Sequence, residues 1–199
     1  MYSTDDLYGL VLAGGQSSRM GQDKGELQYY RTNHRSYLYY TLKELCPQTY
    51  ISCRQDQQSV IQSGMDYIMD EDLYGGPLNG ILSAHHAHPD KAWLIVAVDL
   101  PHIHEESLQA LVKQRQSQKA ATVYATHESK LPEPLIGIWE PKGLQEAEKF
   151  MIESGKSCPR KFLMNADIQL IYPENDLELF NANYPEDYEL AKSRIEEGK

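Results

Sequence analysis

The sequence predicts an α/β protein built on a doubly wound, mostly parallel sheet. Short apolar runs alternate with helical segments along the chain, a spacing typical of βαβ units. The most apolar run, AWLIVAV, has the composition of a strand buried on both faces. With 199 residues, 41% of them hydrophobic, the chain is long enough to bury the core of one such domain.

Each element is assigned from its local pattern. The run LYGLVLA predicts a strand over residues 7–13, and the other predicted strands are residues 49–53, 66–69, 92–98, 120–125, 134–140 and 167–171. Helices are predicted over residues 36–45, 78–88, 105–116, 143–154, 159–165 and 185–196, with a weak one over 55–63. No repeat or low-complexity linker divides the chain, so we expect a single domain over residues 1–199.

Composition excludes several classes of function. The formal net charge of −10 argues against nucleic acid as a partner, although a local basic pocket remains compatible with a small anion. The acidic N-terminus lacks the positive region of a signal peptide, and no apolar run approaches the ~20 residues of a membrane span. Three cysteines without metal-like spacing indicate free thiols. We therefore expect a cytoplasmic protein that binds neither nucleic acid nor membranes.

The segment LAGGQSSRMGQDK, residues 12–24, follows the first strand directly. Gly14 and Gly15 lack side chains, so the backbone amides beside them can approach a phosphate closely. Arg19 and Lys24 bring positive charge to the same loop. This combination predicts a binding site for a polyphosphate.

Ser17 and Ser18 add hydroxyl donors to this glycine loop. The loop is not a Walker A motif, because Gln22 follows Gly21, and it lacks the G-x-G-x-x-G pattern of dinucleotide-binding proteins. A flexible polar surface loop is the alternative interpretation, which the preceding strand and the two cationic side chains disfavour.

The same segment meets every fixed position of the pattern L-A-G-G-x-S-x-R-M-G-x-D-K. It therefore resembles the nucleotidyltransferase family that includes molybdenum cofactor guanylyltransferase. The resemblance implies a doubly wound α/β fold and a Mg²⁺-dependent transfer of GMP from GTP to the terminal phosphate of molybdopterin, with release of pyrophosphate. It also implies that Leu12, Ala13 and Gly14 line the guanine and ribose side of the site, and that Lys24 contacts the GTP phosphates.

Two acidic positions follow predicted strands. Asp99 comes directly after the most apolar strand, where it could cap the turn before Pro101 or bind a hard cation. The segment DLP matches an Asp-x-Pro of the family, which implies that Asp99 is a Mg²⁺ ligand. Asp70 begins the acidic segment DED, and its position relative to GPLNGI favours it over Asp72 as the family's nucleotide-contacting carboxylate. We expect Asp72 and Glu71 to be solvated.

The C-terminal segment FNANYPEDYELAK resembles the family's F-x-N-x-N-T-P-E-D-L. This implies that Asn181 and Asn183 lie beside the metal and the reacting phosphates, and the alternative is turn chemistry before Pro185. Tyr184 stands where the family usually has Thr. The resemblance divides the chain into a nucleotide-binding half over about residues 1–100 and a pterin-binding half over about 101–199.

Two other polar segments have competing interpretations. SGKSCPRKFL could receive the phosphate of the pterin or form a basic surface turn, and its cations are Lys156, Arg160 and Lys161. HHAHPD contains His85, His86 and His88. Adjacent histidines at a helix end are expected to be solvated rather than to bind a metal.

The family resemblance implies a specific reaction. The terminal phosphate of molybdopterin would attack the α-phosphorus of GTP, with Mg²⁺ on Asp99 and with Arg19 and Lys24 stabilising the departing pyrophosphate. Alternatives are a cytidylyltransferase, which has L-A-A-G in place of L-A-G-G, a sugar-phosphate nucleotidyltransferase, and a non-catalytic module that delivers cofactor. Recipient molybdoenzymes or other cofactor-biosynthesis proteins are the protein partners that the resemblance suggests.

Overall fold

The computed structural model describes residues 5–15 and 19–198. Within these residues, seven strands form one sheet. The strands are β1 Leu7–Leu12, β2 Thr49–Cys53, β3 Tyr67–Met69, β4 Ala92–Ala97, β5 Ala121–Ala125, β6 Pro132–Trp139 and β7 Ile168–Ile171. All seven were predicted from the sequence, and their ends differ from the predicted ones by no more than a few residues.

Helices connect the strands. They are α1 His34–Leu45, α2 Pro77–Ala87, α3 Glu105–Lys113, α4 Pro141–Ser154, α5 Pro159–Leu163 and α6 Pro185–Glu197. Helix α1 begins before the predicted start because the Asn33 side chain caps it by accepting a hydrogen bond from the backbone N–H of Ser36 at 3.0 Å. Residues 55–63 were predicted as a weak α-helix. The structure instead has a 3₁₀ helix at Gln55–Val60, in keeping with a polar segment that lacks helical apolar periodicity.

The strand order is β3-β2-β1-β4-β6-β5-β7. Strands β3, β2, β1 and β4 are parallel, and β5 is parallel to β7, whereas β6 is antiparallel to both of its neighbours. The predicted doubly wound, mostly parallel α/β fold is therefore confirmed. Because β6 runs in reverse, its first residues lie at the edge of the sheet where β1 and β4 end.

Both faces of the sheet are covered, which explains why β4 is buried along its whole length. Leu94 and Val96 point to the face covered by α1 and α3, and Trp93 and Ile95 point to the face covered by α2, α4 and α5. The alternation places successive side chains in two separate hydrophobic layers.

A third hydrophobic cluster joins residues 20–29 to the C-terminal segment. Met20, near the end of the glycine loop, and Leu27 and Tyr29, which follow that loop, pack against Ala182 and Ala191. This packing brings the C-terminal segment to the carboxyl edge of the sheet, where ligands bind in doubly wound folds.

Candidate active site

A cavity of about 630 Å³ lies at the carboxyl ends of β1 and β4. Leu12 and Ala97 are paired in the register of these two strands, so the segments that follow them leave the sheet side by side. The cavity has the size of an ordinary ligand pocket. Of the residues predicted for the site, those that line the cavity are Leu12, Ala13, Gly14, Gly15, Arg19, Lys24, Asp70, Asp99 and Asn183. Ser17 and Ser18 lie outside the described residues.

Lys24 connects three segments that are distant in the sequence, at one end of the cavity. Its Nζ donates to Asn183 Oδ1 at 2.6 Å and lies 3.5 Å from Asp99 Oδ2. The preceding residue, Asp23, caps the short 3₁₀ helix Lys24–Glu26 by accepting a hydrogen bond from the backbone N–H of Gly25 at 2.8 Å. The cap fixes the backbone from which Lys24 extends, so the ammonium group is held over the end of β4.

Asp99 has a carboxylate environment suited to a hard cation. Burial raises the pKa of Asp99, while the nearby Lys24 ammonium acts in the opposite direction. Its Oδ1 is buried and has no hydrogen-bond partner among the described residues. An oxygen of this kind fits Mg²⁺, which proteins often hold with one or two carboxylates together with substrate phosphates.

The opposite wall of the cavity is built around Asp70. Its Oδ1 accepts a hydrogen bond from Ser52 Oγ at 2.7 Å. Burial raises the pKa of Asp70, whereas this hydrogen bond acts in the opposite direction. A Cβ atom at Gly14 would overlap the Asp70 carboxylate, and one at Gly80 would overlap Ser52 Oγ. Two glycines therefore make room for Asp70 beside the end of β1, and the GPLNGI segment contributes one of them.

Arg19 and Arg54 carry the other cationic groups of the cavity lining. The guanidinium carbon of Arg19 lies 5.9 Å from the centroid of the Tyr184 ring, a cation–π distance. Arg54 follows β2, and its Nη1 donates to the carbonyl oxygens of Gly14 at 2.5 Å and Gly15 at 2.8 Å. The sequence had not placed Arg54 in the site, although its position directly after a strand was a usable signal.

The two C-terminal asparagines have different environments. The segment is held to the site by a hydrogen bond from the backbone N–H of Ala182 to the carbonyl oxygen of Asp99 at 2.8 Å. Asn183 faces Lys24, whereas Asn181 is exposed and donates to the carbonyl oxygen of Leu179 at 3.0 Å. Asn181 is not among the described residues that line the cavity.

Two basic or histidine-rich segments lie outside the cavity lining. In the basic cluster, Arg160 pairs with Glu133 at 2.7 Å and donates to the carbonyl oxygen of Pro132 at 3.0 Å. The expectation that the adjacent histidines are solvated was wrong: His85 is buried, and His86 lies between Glu71 and Glu148 at 2.6 and 2.9 Å. Glu71 is thus partnered as well. Within the described residues, no cluster of His, Cys, Asp or Glu has the arrangement of a metal site.

None of the helices within residues 5–15 and 19–198 combines the length and the apolar composition needed to cross a bilayer.

The chain is similar in sequence to a known protein family and to several curated proteins. The chain matches the family described as a MobA-like NTP transferase domain over residues 9–169. It is 38% identical over 187 residues to a molybdenum cofactor biosynthesis bifunctional protein of Synechocystis sp., covering 94% of this chain and 54% of that protein. The chain thus spans about half the length of this relative. It is 28% identical to a molybdenum cofactor guanylyltransferase of Pseudomonas fluorescens, covering 89% of each protein.

Solved structures show the same fold. Molybdopterin-guanine dinucleotide biosynthesis protein A from Archaeoglobus fulgidus superposes with a TM-score of 0.75 at 21% identity, covering 96% of this chain and 99% of that one. CMP:2-keto-3-deoxy-manno-octonic acid synthetase superposes with a TM-score of 0.74 at 13% identity, covering 98% and 100%. Because the family match extends over most of the sequence, the chain belongs to the MobA-like NTP transferase family and is a nucleotidyltransferase.

Proposed function

We propose that this nucleotidyltransferase transfers GMP from GTP to the terminal phosphate of molybdopterin and releases pyrophosphate. The observation that carries the proposal is the contact of Lys24 with both Asp99 and Asn183, at one end of a cavity whose other wall holds Asp70. The names of the Synechocystis and Pseudomonas relatives support the same cofactor chemistry.

The reaction needs positioning and charge neutralisation more than proton transfer. A phosphate oxygen of molybdopterin would form a bond to the α-phosphorus of GTP while the bond from that phosphorus to the bridging oxygen of pyrophosphate breaks. Because the nucleophile is already an anion, no general base is required. Lys24, Arg19 and the amides beside Gly14 would bind the triphosphate and stabilise the negative charge that develops on the leaving pyrophosphate.

Asp99 would hold Mg²⁺ through the buried carboxylate oxygen that has no partner among the described residues. When bound, Mg²⁺ would neutralise charge on the phosphate oxygens. Lys24 would then keep its hydrogen bond to Asn183, which holds the ammonium group at the phosphate end of the cavity.

The wall around Asp70 supports guanine as the base. Guanine presents N–H donors on its edge, and the carboxylate of Asp70 would accept from them. The related cytidylyltransferases have Ala at the position of Gly14, where a Cβ atom would overlap Asp70 in this chain. Gly14 therefore supports guanylyl over cytidylyl transfer.

A thermal-shift panel of nucleoside triphosphates with Mg²⁺ tests the base preference. We expect GTP to raise the melting temperature more than CTP, ATP or UTP, and CTP-selective stabilisation would instead favour the cytidylyltransferase. Pyrophosphate release on mixing GTP with molybdopterin tests the reaction itself. Nucleotide binding without pyrophosphate release would favour a non-catalytic module, and release with a sugar phosphate in place of molybdopterin would favour a sugar-phosphate nucleotidyltransferase.

A further inference from the structure

Side chains of the segment that follows β2 form hydrogen bonds to the backbone at the start of the glycine loop. Three successive carbonyl oxygens, those of Ala13, Gly14 and Gly15, each accept a hydrogen bond from a side chain of this segment. Arg54 binds the second and third of them, and Gln57 Nε2 donates to the carbonyl oxygen of Ala13 at 3.0 Å. The backbone that leaves β1 is therefore fixed by side chains and not only by the sheet.

Both the Oε1 and the Nε2 atom of the Gln57 amide form hydrogen bonds in this arrangement. Its Oε1 accepts from the backbone N–H of Arg54 at 3.1 Å, and its Nε2 also donates to Asp23 Oδ2 at 3.0 Å. Both partners of Nε2 are acceptors and the partner of Oε1 is a donor, which defines the orientation of the amide. The residue is 5% exposed and is not among the described residues that line the cavity.

Asp23 is the anchor at the other end of the loop. It caps the short 3₁₀ helix that carries Lys24, and its Oδ2 pairs with the buried guanidinium of Arg35 at 2.7 Å. Arg35 in turn pairs with Glu26 at 2.6 Å. A single side chain, Gln57, thus bridges a backbone carbonyl where the loop begins and a carboxylate where it ends.

We propose that Gln57 is a positioning residue that sets the separation between the two ends of the glycine loop. By holding Ala13 and Asp23 together, it fixes the distance from the amides beside Gly14 to the ammonium group of Lys24. This role rests on the proposed function in taking GTP as the ligand whose triphosphate spans that distance.

The first test compares Gln57→Met with Gln58→Met. Methionine keeps the volume at position 57 but removes the hydrogen bonds, and Gln58 is an exposed neighbour whose amide donates to the Tyr67 hydroxyl. We expect the dissociation constant for GTP with Mg²⁺ to rise about tenfold in Gln57→Met and to change less than about twofold in Gln58→Met. Equal affinities in the two variants would overturn the proposal, whereas wild-type protein that binds no GTP would overturn the proposed function.

A second measurement needs no nucleotide. The backbone N–H groups of Ala13 and Gly25 are hydrogen-bonded at the two ends of the loop, to the carbonyl oxygen of Ser52 and to Asp23 Oδ1. We expect amide hydrogen exchange at both positions to accelerate in Gln57→Met and to stay at the wild-type rate in Gln58→Met. Unchanged exchange in Gln57→Met would overturn the proposal even if GTP is not the substrate.

The Gln57→Glu variant distinguishes loss of the positioning hydrogen bonds from a general loss of protein stability. The introduced carboxylate would face the Ala13 carbonyl oxygen and the Asp23 carboxylate without a proton to donate. As pH falls, protonation of the introduced group restores one donor, so its GTP affinity relative to wild type at the same pH should recover toward pH 5. A deficit that is the same at every pH contradicts the proposal. This variant also keeps the acceptor for the backbone N–H of Arg54, so it serves if Gln57→Met does not fold.

Discussion

Gly14 and Gly15 are neighbours with different steric surroundings. A methyl group at Gly14 would overlap the carboxylate of Asp70, while the same position at Gly15 has no described atom within 4 Å. We expect Gly14→Ala to lower the free energy of unfolding by about 1–3 kcal/mol, because Asp70 must leave Ser52 or the backbone must shift.

Denaturant unfolding of the nucleotide-free protein measures this effect, and Gly15→Ala is the matched control. Its free energy of unfolding should stay within about 0.5 kcal/mol of wild type. A similar loss in both variants would mean that loop backbone conformation, and not the contact with Asp70, requires glycine.

The role proposed for Asp99 in the reaction comes with a cost in stability. We expect Asp99→Asn to lower the proposed guanylyl transfer by about 100-fold or more while the far-UV circular dichroism spectrum is unchanged. Burial raises the pKa of Asp99 in the fold, so its ionised form is less favourable in the folded chain than in the unfolded chain.

The sign of the stability effect follows from this pKa. The contribution of Asp99 to the free energy of unfolding is greatest below the pKa of the unfolded chain and is lost as pH rises through the folded pKa. Asp99→Asn should therefore melt at or above the wild-type temperature at pH 7, and this advantage should shrink toward pH 4. Wild-type turnover in the variant would contradict the role of Asp99.

At the level of residues, the sequence predicted those cavity-lining residues that directly follow a strand or belong to the motif over residues 12–24. Gly14, Lys24 and Asp99 are brought to one cavity because β1 and β4 are adjacent and parallel. The position of Asn181 outside this lining depends on the path of an irregular segment, which has no sequence periodicity. Gln57 could not be found from sequence, because a buried glutamine in a polar segment is recognisable only from its partners.

At the level of elements, the loop after β3 is tied to two helices beside the cavity. His86 of α2 contacts Glu71 of the loop and Glu148 of α4, and the Tyr74 hydroxyl donates to Glu148 at 2.7 Å. Partial burial disfavours protonation of His86, but the two carboxylates outweigh it and raise the pKa of His86. Both ring nitrogens can donate only in the protonated form.

This raised pKa predicts a pH-dependent contribution to stability. It is present in full below the pKa of histidine in the unfolded chain, about 6.5, and is lost as pH rises through the folded pKa. We expect His86→Gln to lower the free energy of unfolding by up to about 1 kcal/mol more at pH 6 than at pH 9. Denaturant unfolding at the two pH values measures the difference, and an equal penalty at both would rule out the ionic bridge.

The elements themselves were largely predictable, and the direction of one strand was not. Each strand is a short apolar run, and burial on two faces gives such runs a distinct composition. Nothing in the residues of β6 specifies that it runs antiparallel, because strand composition does not encode direction. The reversal also explains how Leu135, near the start of β6, comes to line the cavity.

At the level of the whole molecule, the halves proposed from sequence share one sheet. Strand β4 pairs with β1 on one side and β6 on the other, and Trp93 is the register partner of Trp139. We predict that the two halves unfold together, so that tryptophan fluorescence in Trp93→Phe and Trp139→Phe variants follows the same denaturant transition as circular dichroism. Separate transitions would indicate that the halves are independent units.

The hairpin of β5 and β6 has an evolutionary consequence. The turn between these strands, residues 126–131, lies at the sheet edge near Leu135 and carries no strand pairing of its own. Surface turns tolerate insertions well. None of residues 126–131 is among the described lining residues of the cavity, so a longer turn would reach the cavity only past Leu135 and would leave the wall around Asp70 untouched. Under the proposed function, we expect longer turns in related chains to alter the choice of acceptor and not the choice of nucleotide.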